Sequence, residues 1–315
     1  MKNIYSNIFS FNKQILKKTE KSLIQGEIAV LPTETVYGLA GNAYSRKAIN
    51  KIFKLKKRPK KNPLIVHYYN FDDARKDIIL NNYFIRLYKK YCPGPLTFIL
   101  KKNKISKIDS QVTAGMKTIA IRFPKNKIIR SLLKSLNFPL AMPSANISSG
   151  LSPVTAFDVF DEFKKRINII INGGRTKIGI ESTVIDLTSK PKILRPGIID
   201  KNEIKEFLKI NLSKRRTKFK SPGMFKKHYS PGIPVILGKK PNNTNQAYIV
   251  FGKNYKNKTN YFNLSKNGNL KEAAANLYKI MRKIKNKGYK KIFVSKIPNS
   301  GPGIAINDRL KRAGN

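Results

Sequence analysis

The sequence predicts an α/β protein built as two units of unequal size, and three observations carry that prediction. Helical patterns alternate with short strands along most of the chain. Several strands are continuously apolar, as in INIIIN (167–172) and TIAIRFP (118–124), the pattern of strands buried on both faces. After Asn211 the texture changes: residues 211–234 are basic, hold Pro222, Gly223, Pro231, Gly232 and Pro234, and show no apolar period. That is linker composition. The expected division is a first unit over 1–210, a linker over 211–234 and a smaller α/β unit over 235–315.

The elements follow in order. Asn12 to Gln25 reads as a helix, with Asn12 as cap candidate and Gly26 as its stop. EIAVLP (27–32) is a short buried strand. A helix starts near Ser45 and carries Ile49, Ile52, Phe53 and Leu55 at helical spacing. LIVHYY (64–69) is a strand, NYFIRLYKKY (82–91) an amphipathic helix, and LTFILKK (96–102) and TIAIRFP are strands. A helix over 126–136, the strand-like PLAMP (139–143) and a helix near 155–165 come next. Strands at 167–172, 182–187 and 192–197 precede a helix at 201–209. Beyond the linker, PVILG (234–238), AYIVFG (247–252) and KIFVSKIP (291–298) read as strands, with helices over 270–285 and near 304–313.

Lys and Arg number 65 against 17 Asp and Glu, a formal charge of +48. Such a balance excludes acidic or calcium-buffering surfaces and permits partners that carry phosphate. Lys, Asn and Ile are abundant from end to end, however, as codon drift in an AT-rich genome produces. Most of the charge is therefore read as compositional, and each cation is judged at its own motif. The single cysteine, Cys92, excludes an internal disulfide and multi-cysteine metal sites. No signal peptide and no run of about 18 apolar residues is found, so a cytoplasmic protein without a membrane span is expected.

Four stretches concentrate chemistry. LPTETVYGLAGNA (31–43) places hydroxyls and an acid at the end of an apolar strand, where open α/β sheets bind ligands. In KLKKRPKKNPLIVH (54–67), Lys56 and Arg58 lie two apart and would point the same way if extended, a fork for polyphosphate. Asn62 and His67 follow. Arg122 interrupts an apolar strand and, if buried, needs an anionic partner. LAMPSANISSGLSP (140–153) offers hydroxyl, amide and backbone donors close together. ESTVIDL (181–187), ILRPG (193–197) and SPGMFKKHYSPG (221–232) also set polar groups beside structural punctuation, and His228-Tyr229 is unexpected in a linker unless it docks on something.

The absences narrow the chemistry. There is no G-x-x-x-x-G-K-[ST], no G-x-G-x-x-G between strand and helix, and no G-x-S-x-G, H-E-x-x-H or C-x-x-C. Acids are few, which weakens a carboxylate-pair hydrolase. Arg, Lys, Ser, Thr and Asn instead suit phosphoryl or nucleotidyl transfer, where alignment and charge neutralisation do most of the catalysis.

Taken in order, LPTETVYGLAGNA, KKRPKKNPLIVH, CPGPLTFIL, TIAIRFP, PLAMPSANISSGLSP, ESTVIDL, ILRPG, SPGMFKKHYSP and GIAINDRLKRA resemble the YrdC-like family in its longer form, threonylcarbamoyl-AMP synthases with an added C-terminal domain. The resemblance spans nearly the whole chain. It implies a YrdC-like twisted open mixed sheet with flanking helices, plus a smaller Rossmann-like α/β domain. It also implies a nucleotidyltransferase reaction: L-threonine, bicarbonate and ATP give threonylcarbamoyl-AMP and pyrophosphate. By motif match the catalytic set falls on Lys56, Arg58, Ser144 and Asn146. Threonine contacts fall on Thr35, His67, Arg122, the stretch around Met142, and Ser182 or Thr183. ATP contacts fall on Arg58, Asn62, Thr118, Ser144, Ser152, Arg195 and, from the linker, Tyr229, which would close as a lid. Mg²⁺ would be held mainly by the ATP phosphates, with no ligand from protein side chains. The implied partners are the three substrates and a downstream threonylcarbamoyl transferase complex acting on tRNA.

One departure stands out: the family's Lys-Gly-Arg is here Lys56-Lys57-Arg58. Weak binding to tRNA or other RNA stays open, as do two other readings. A non-enzymatic RNA-binding module predicts a steep salt slope and no pyrophosphate release. A carbamoyl-adenylate enzyme of the hydrogenase-maturation type would need carbamoyl phosphate and accessory domains, and the cysteine count argues against the zinc-binding ones.

Overall fold

The computed structural model of the chain describes residues 5–213, 228–255 and 258–314. In chain order it begins with β1 (Ile8–Ser10), α1 (Lys13–Ile24), β2 (Ala29–Leu31), β3 (Gly38–Asn42), α2 (Arg46–Lys56), β4 (Ile65–His67), α3 (Phe71–Arg75), α4 (Asn82–Tyr91), β5 (Leu96–Lys101) and β6 (Thr118–Arg122). Then come α5 (Lys127–Ser135), β7 (Leu140–Ala141), α6 (Ala156–Phe163), β8 (Ile170–Asn172), β9 (Thr183–Asp186), β10 (Lys192–Arg195) and α7 (Lys201–Leu208). The second unit holds β11 (Val235–Leu237), β12 (Ala247–Val250), β13 (Tyr261–Asn263), α8 (Leu270–Asn286), β14 (Ile292–Val294) and α9 (Pro302–Ala313).

Helix starts follow the local chemistry. The Asn12 side chain accepts from Ile15 N at 2.8 Å, Ser45 accepts from Ala48 N, and Thr155 with Asp158 closes a capping box on α6. Four elements lie outside the sequence expectation: β1, β3, α3 and β13. β1 pairs parallel to the distant β8, and β3 pairs antiparallel to the preceding β2 and to the distant β7.

Ten strands form one mixed sheet in the order β1-β8-β2-β3-β7-β4-β6-β5-β9-β10. Register explains how its middle becomes a site. Ile65 and His67 of β4 stand opposite Ala120 and Arg122 of β6, which face Ile99 and Thr97 of β5. Side chains alternate along a strand, so these six share one face. The opposite face carries Val66, Ile121 and Phe98 into the main core, where helices cover it. One side of the central strands is thus core and the other a floor for polar groups.

The smaller sheet is parallel throughout, in the order β11-β14-β12-β13, with α8 and α9 packed on one face. A hydrophobic cluster crosses between the units: Val36, Leu151, Val154 and Ile180 pack with Tyr229, Leu277, Tyr278 and Ile306. Gly179 permits this approach. It lies at φ +76°, and a Cβ there would stand 2.5 Å from the Ala275 Cα of α8.

Candidate active site

The polar floor of the large sheet opens into a cavity of about 50 Å³, closed on the far side by His228 and Tyr229. Two walls can be distinguished by the elements that build them.

On the first wall stand Thr35, His67, Arg122 and Met142. Arg122 is buried and does have an anionic partner, but it is internal. Nη2 donates to Glu34 Oε1 at 2.5 Å, Nη1 to Thr35 Oγ1 at 2.9 Å, and Nε to the Gly94 carbonyl at 3.4 Å. The anionic partner expected of a buried Arg122 is thus Glu34, within the same unit. Glu34 is anchored in turn by the backbone N–H groups of Lys125 and Asn126, just ahead of α5. Burial, followed by the charge of Arg122, pushes His67 down to about 3, so its imidazole is neutral and Nδ1 has no partner. Met142 reaches the cavity over Gly38, where a Cβ would meet the Met142 Cγ at 2.4 Å.

The second wall is made by Arg58, Ser144, Glu181, Ser182 and Arg195. Arg58 donates to Asn62 O, Asn62 Oδ1 and Pro63 O, and Arg195 donates to Ser182 O and Ser182 Oγ. Among the described residues neither guanidinium has a carboxylate within ion-pair distance. Burial and then the neighbouring Arg195 push Arg58 down to about 9. Two buried cations line the same cavity, and an anion bound there would stabilise both.

Lys56 plays a different part from the expected fork. α2 continues through Lys56 and ends at Lys57 in the left-handed region, φ 49°, so Lys56 and Arg58 do not project from extended backbone. The Lys56 ammonium is buried and donates to the carbonyls of Ser144 and Asn146. Its burial, and then Arg58, hold its pKa well below the usual lysine value. It ties down the Ser144–Asn146 loop rather than lining the cavity. Lys57 is exposed.

Other expected residues are displaced from direct contact. Asn146 donates to the carbonyls of Ile147 and Gly150, and its Oδ1 accepts from Ser144 Oγ. Asn62 is spent on Arg58. Ser152 donates to Glu181 Oε1 at 2.5 Å. Strand alternation decides between Ser182 and Thr183: Ser182 faces the cavity, while Thr183 donates to the Ile199 carbonyl at 2.9 Å on the other side. Thr118 shares the face of Arg122 but stands four residues back along β6, about 13 Å at strand rise, and does not line the cavity.

Sequence reasoning noted Glu34 only as the acid of its motif and His228 only as a docking candidate, and gave no role to Glu181, Tyr278 or Arg309. Glu181 accepts from Ser152, from Tyr278 OH at 3.0 Å and from Arg309 Nε at 3.2 Å. Residues 228–230 are strapped over the opening. His228 N donates to the Arg312 carbonyl at 3.1 Å, and Ser230 N to the Ser149 carbonyl at 2.8 Å. Tyr229 sits between at φ 62°, buried, its ring 5.9 Å from that of Tyr278, with an unpartnered hydroxyl. Residues 214–227 of the expected 211–234 linker and lid lie outside the described residues. Among the described residues no cluster of His, Cys, Asp or Glu could hold a metal ion, and no helix is long and apolar enough to cross a membrane.

A mixed sheet with an anion-ready polar face, closed by a strap from a second α/β unit, defines the class of fold and site. Residues 21–197 match the family described as "Telomere recombination", and residues 199–315 match "Threonylcarbamoyl-AMP synthase, C-terminal domain". A threonylcarbamoyl-AMP synthase of Pyrococcus abyssi is 35% identical over 92% of this chain and 91% of its own length. One of Bacillus subtilis is 33% identical over 96% of this chain and 94% of its own. The crystal structure of P. abyssi Sua5 complexed with L-threonine superimposes with a TM-score of 0.88 at 32% identity, covering 98% of this chain and 97% of that one. The chain belongs to the Sua5–YciO–YrdC family, in the branch that carries the threonylcarbamoyl-AMP synthase C-terminal domain.

Proposed function

We propose that this chain is a threonylcarbamoyl-AMP synthase, joining L-threonine, bicarbonate and ATP into threonylcarbamoyl-AMP and releasing pyrophosphate. The observation that carries the reading on this chain's own residues is the pair of buried guanidinium groups, Arg58 and Arg195, whose partners are all neutral. The names of the relatives support it. The amine of threonine attacks bicarbonate and water leaves, giving a carbamate. A carbamate oxygen then attacks the α-phosphorus of ATP, the bond to the bridging β-phosphate oxygen breaks, and pyrophosphate departs.

Little proton chemistry is needed from the protein, because the carbamate is already anionic. Alignment and charge compensation are required. The first wall would hold threonine: Arg122 has N–H groups left beyond Glu34, Thr35 and Gly94, and neutral His67 presents an unpartnered Nδ1. Arg58 and Arg195 would compensate the triphosphate, with Ser144 held in place by the loop that Lys56 fixes. Mg²⁺ would travel on the phosphates and neutralise charge there, since Glu34 and Glu181 are both engaged by arginines.

The cavity has room for a few waters, whereas a nucleotide site needs roughly 300 Å³ or more. His228 and Tyr229 would therefore have to move aside to admit ATP, and on returning would keep water from a labile adenylate. The product would pass to a separate transferase complex that modifies tRNA in the cytoplasm. Incubation with ATP, bicarbonate and radiolabelled threonine should yield a labelled adenylate and equimolar pyrophosphate. Pyrophosphate release independent of threonine, or none, defeats the reading. Arg58→Ala should abolish product while the circular dichroism spectrum stays native.

A further inference from the structure

Arg309 belongs to α9 of the second unit, yet its guanidinium lies against the first. It is 1% exposed. Nε donates to Glu181 Oε2 at 3.2 Å, Nη1 to the Pro196 carbonyl at 2.5 Å and to Asp308 Oδ2 at 3.3 Å, and the group lies 5.3 Å from the centre of the Tyr229 ring. Tyr278 of α8 adds its hydroxyl to the same carboxylate. Pro196 follows Arg195 directly, so one side chain touches the cavity's carboxylate, the turn behind its arginine and its covering ring.

Glu181 is the carboxylate on the wall where Arg58 and Arg195 stand. An uncompensated negative charge there would repel a triphosphate at close range in a low-dielectric setting. Burial would push the Glu181 carboxyl up, but Arg309 and then Arg195 outweigh it and hold the pKa below the ordinary value. The wall keeps its carboxylate without presenting a bare anion.

Building on the adenylate-forming reading, we propose that Arg309 is a positioning residue for ATP. From the second unit it neutralises Glu181 and seats Tyr229, so the nucleotide wall is complete only when the units are docked. The threonine wall, whose Arg122–Glu34 pair lies within the first unit, does not depend on it.

The test is the full-length chain carrying Arg309→Met, which keeps volume and removes charge. The KM for ATP should rise about tenfold or more while that for threonine changes less than about twofold. Adding Glu181→Gln should restore most of the ATP KM, because the repelling charge is gone. Loosened docking alone predicts equal changes in both KM values, and that outcome, or no rescue by Glu181→Gln, overturns the proposal. Should Arg309→Met not fold, Arg309→Lys decides: it keeps the cation beside Glu181, so an ATP KM within about threefold of the wild type supports the proposal, and a tenfold rise shared by threonine overturns it. If the wild-type chain makes no threonine-dependent adenylate, the functional reading fails by itself. Equilibrium dissociation constants for ATP on the same variants then decide the role of Arg309.

Discussion

Two buried arginine–glutamate pairs each lend one member to the cavity, Arg122 and Glu181, and they are alike in chemistry and unlike in construction. Arg122–Glu34 is made within the first unit, from the end of β6 and the turn after β2, and Glu34 is fastened to backbone at the start of α5. Arg309–Glu181 joins α9 of the second unit to the segment before β9, and three of its contacts cross the boundary. The first pair needs only residues of the first unit. The second needs both units. The difference teaches that the second unit helps build one end of the site rather than merely tethering a strap.

The largest expected effect breaks the first pair. Arg122→Ala removes a cation from the first wall and should lower kcat/KM for threonine by about 10³-fold. It also leaves Glu34 buried without its counter-ion, costing about 3–5 kcal/mol in a denaturation titration. The KM for ATP should stay within a factor of about two. An equal loss for ATP would show that the two ends are one.

Protonation probes both ends together. Burial pushes His67, on the first wall, and His228, in the strap, each down to about 3. Their folded pKa lies below the unfolded value, so between about 3 and 6.5 the unfolded chain binds more protons. Stability therefore rises with pH across that window and is lost as pH falls through it. At pH 5 the loss should approach about 2 kcal/mol per histidine relative to pH 7. His67→Asn and His228→Asn should each remove its share of the slope in a pH series of denaturation curves. If one variant removes the whole slope, only that end carries a buried neutral imidazole.

Tyr229→Ala tests the covering ring against the wall beneath it. Pyrophosphate release should continue while the yield of intact adenylate per pyrophosphate falls about tenfold, as water reaches the product. Unchanged ATP affinity together with unchanged product hydrolysis would show that the ring is not a lid.

How far the site could be read beforehand follows from where its partners lie in the chain. The polar face of β4 and β6 was legible, because strand alternation alone sets His67 and Arg122 on one side. Arg58 and Arg195 stood out as cations beside structural punctuation. Glu181 was visible as a residue and invisible in its role, since Arg309 lies 128 positions away. β1 and β3 were missed for the same reason: Ile8 is strand because Ile170 pairs with it, and GLAGN has little strand propensity without β2 and β7 beside it. The fork of Lys56 and Arg58 was misread because a helix end without glycine looks, in sequence, like a continuing basic run.

That helix end supports the smallest prediction. Lys57 caps α2 at φ 49° and ψ 42°, a conformation in which glycine meets no Cβ penalty and lysine does. Lys57→Gly should therefore stabilise the protein by about 0.5–1 kcal/mol, seen as a rise of roughly 1–3 °C in Tm. The same variant asks what the excess charge is for. Lys57 is exposed, while Arg58 beside it is buried on the second wall of the cavity. Exposed charges are screened within about 10 Å at ordinary ionic strength, so the KM for ATP should hold within about twofold. A larger rise would mean that surface lysines contribute to the field that draws ATP in, and the chain's surplus of cations would then have a function at the nucleotide end that the threonine end lacks.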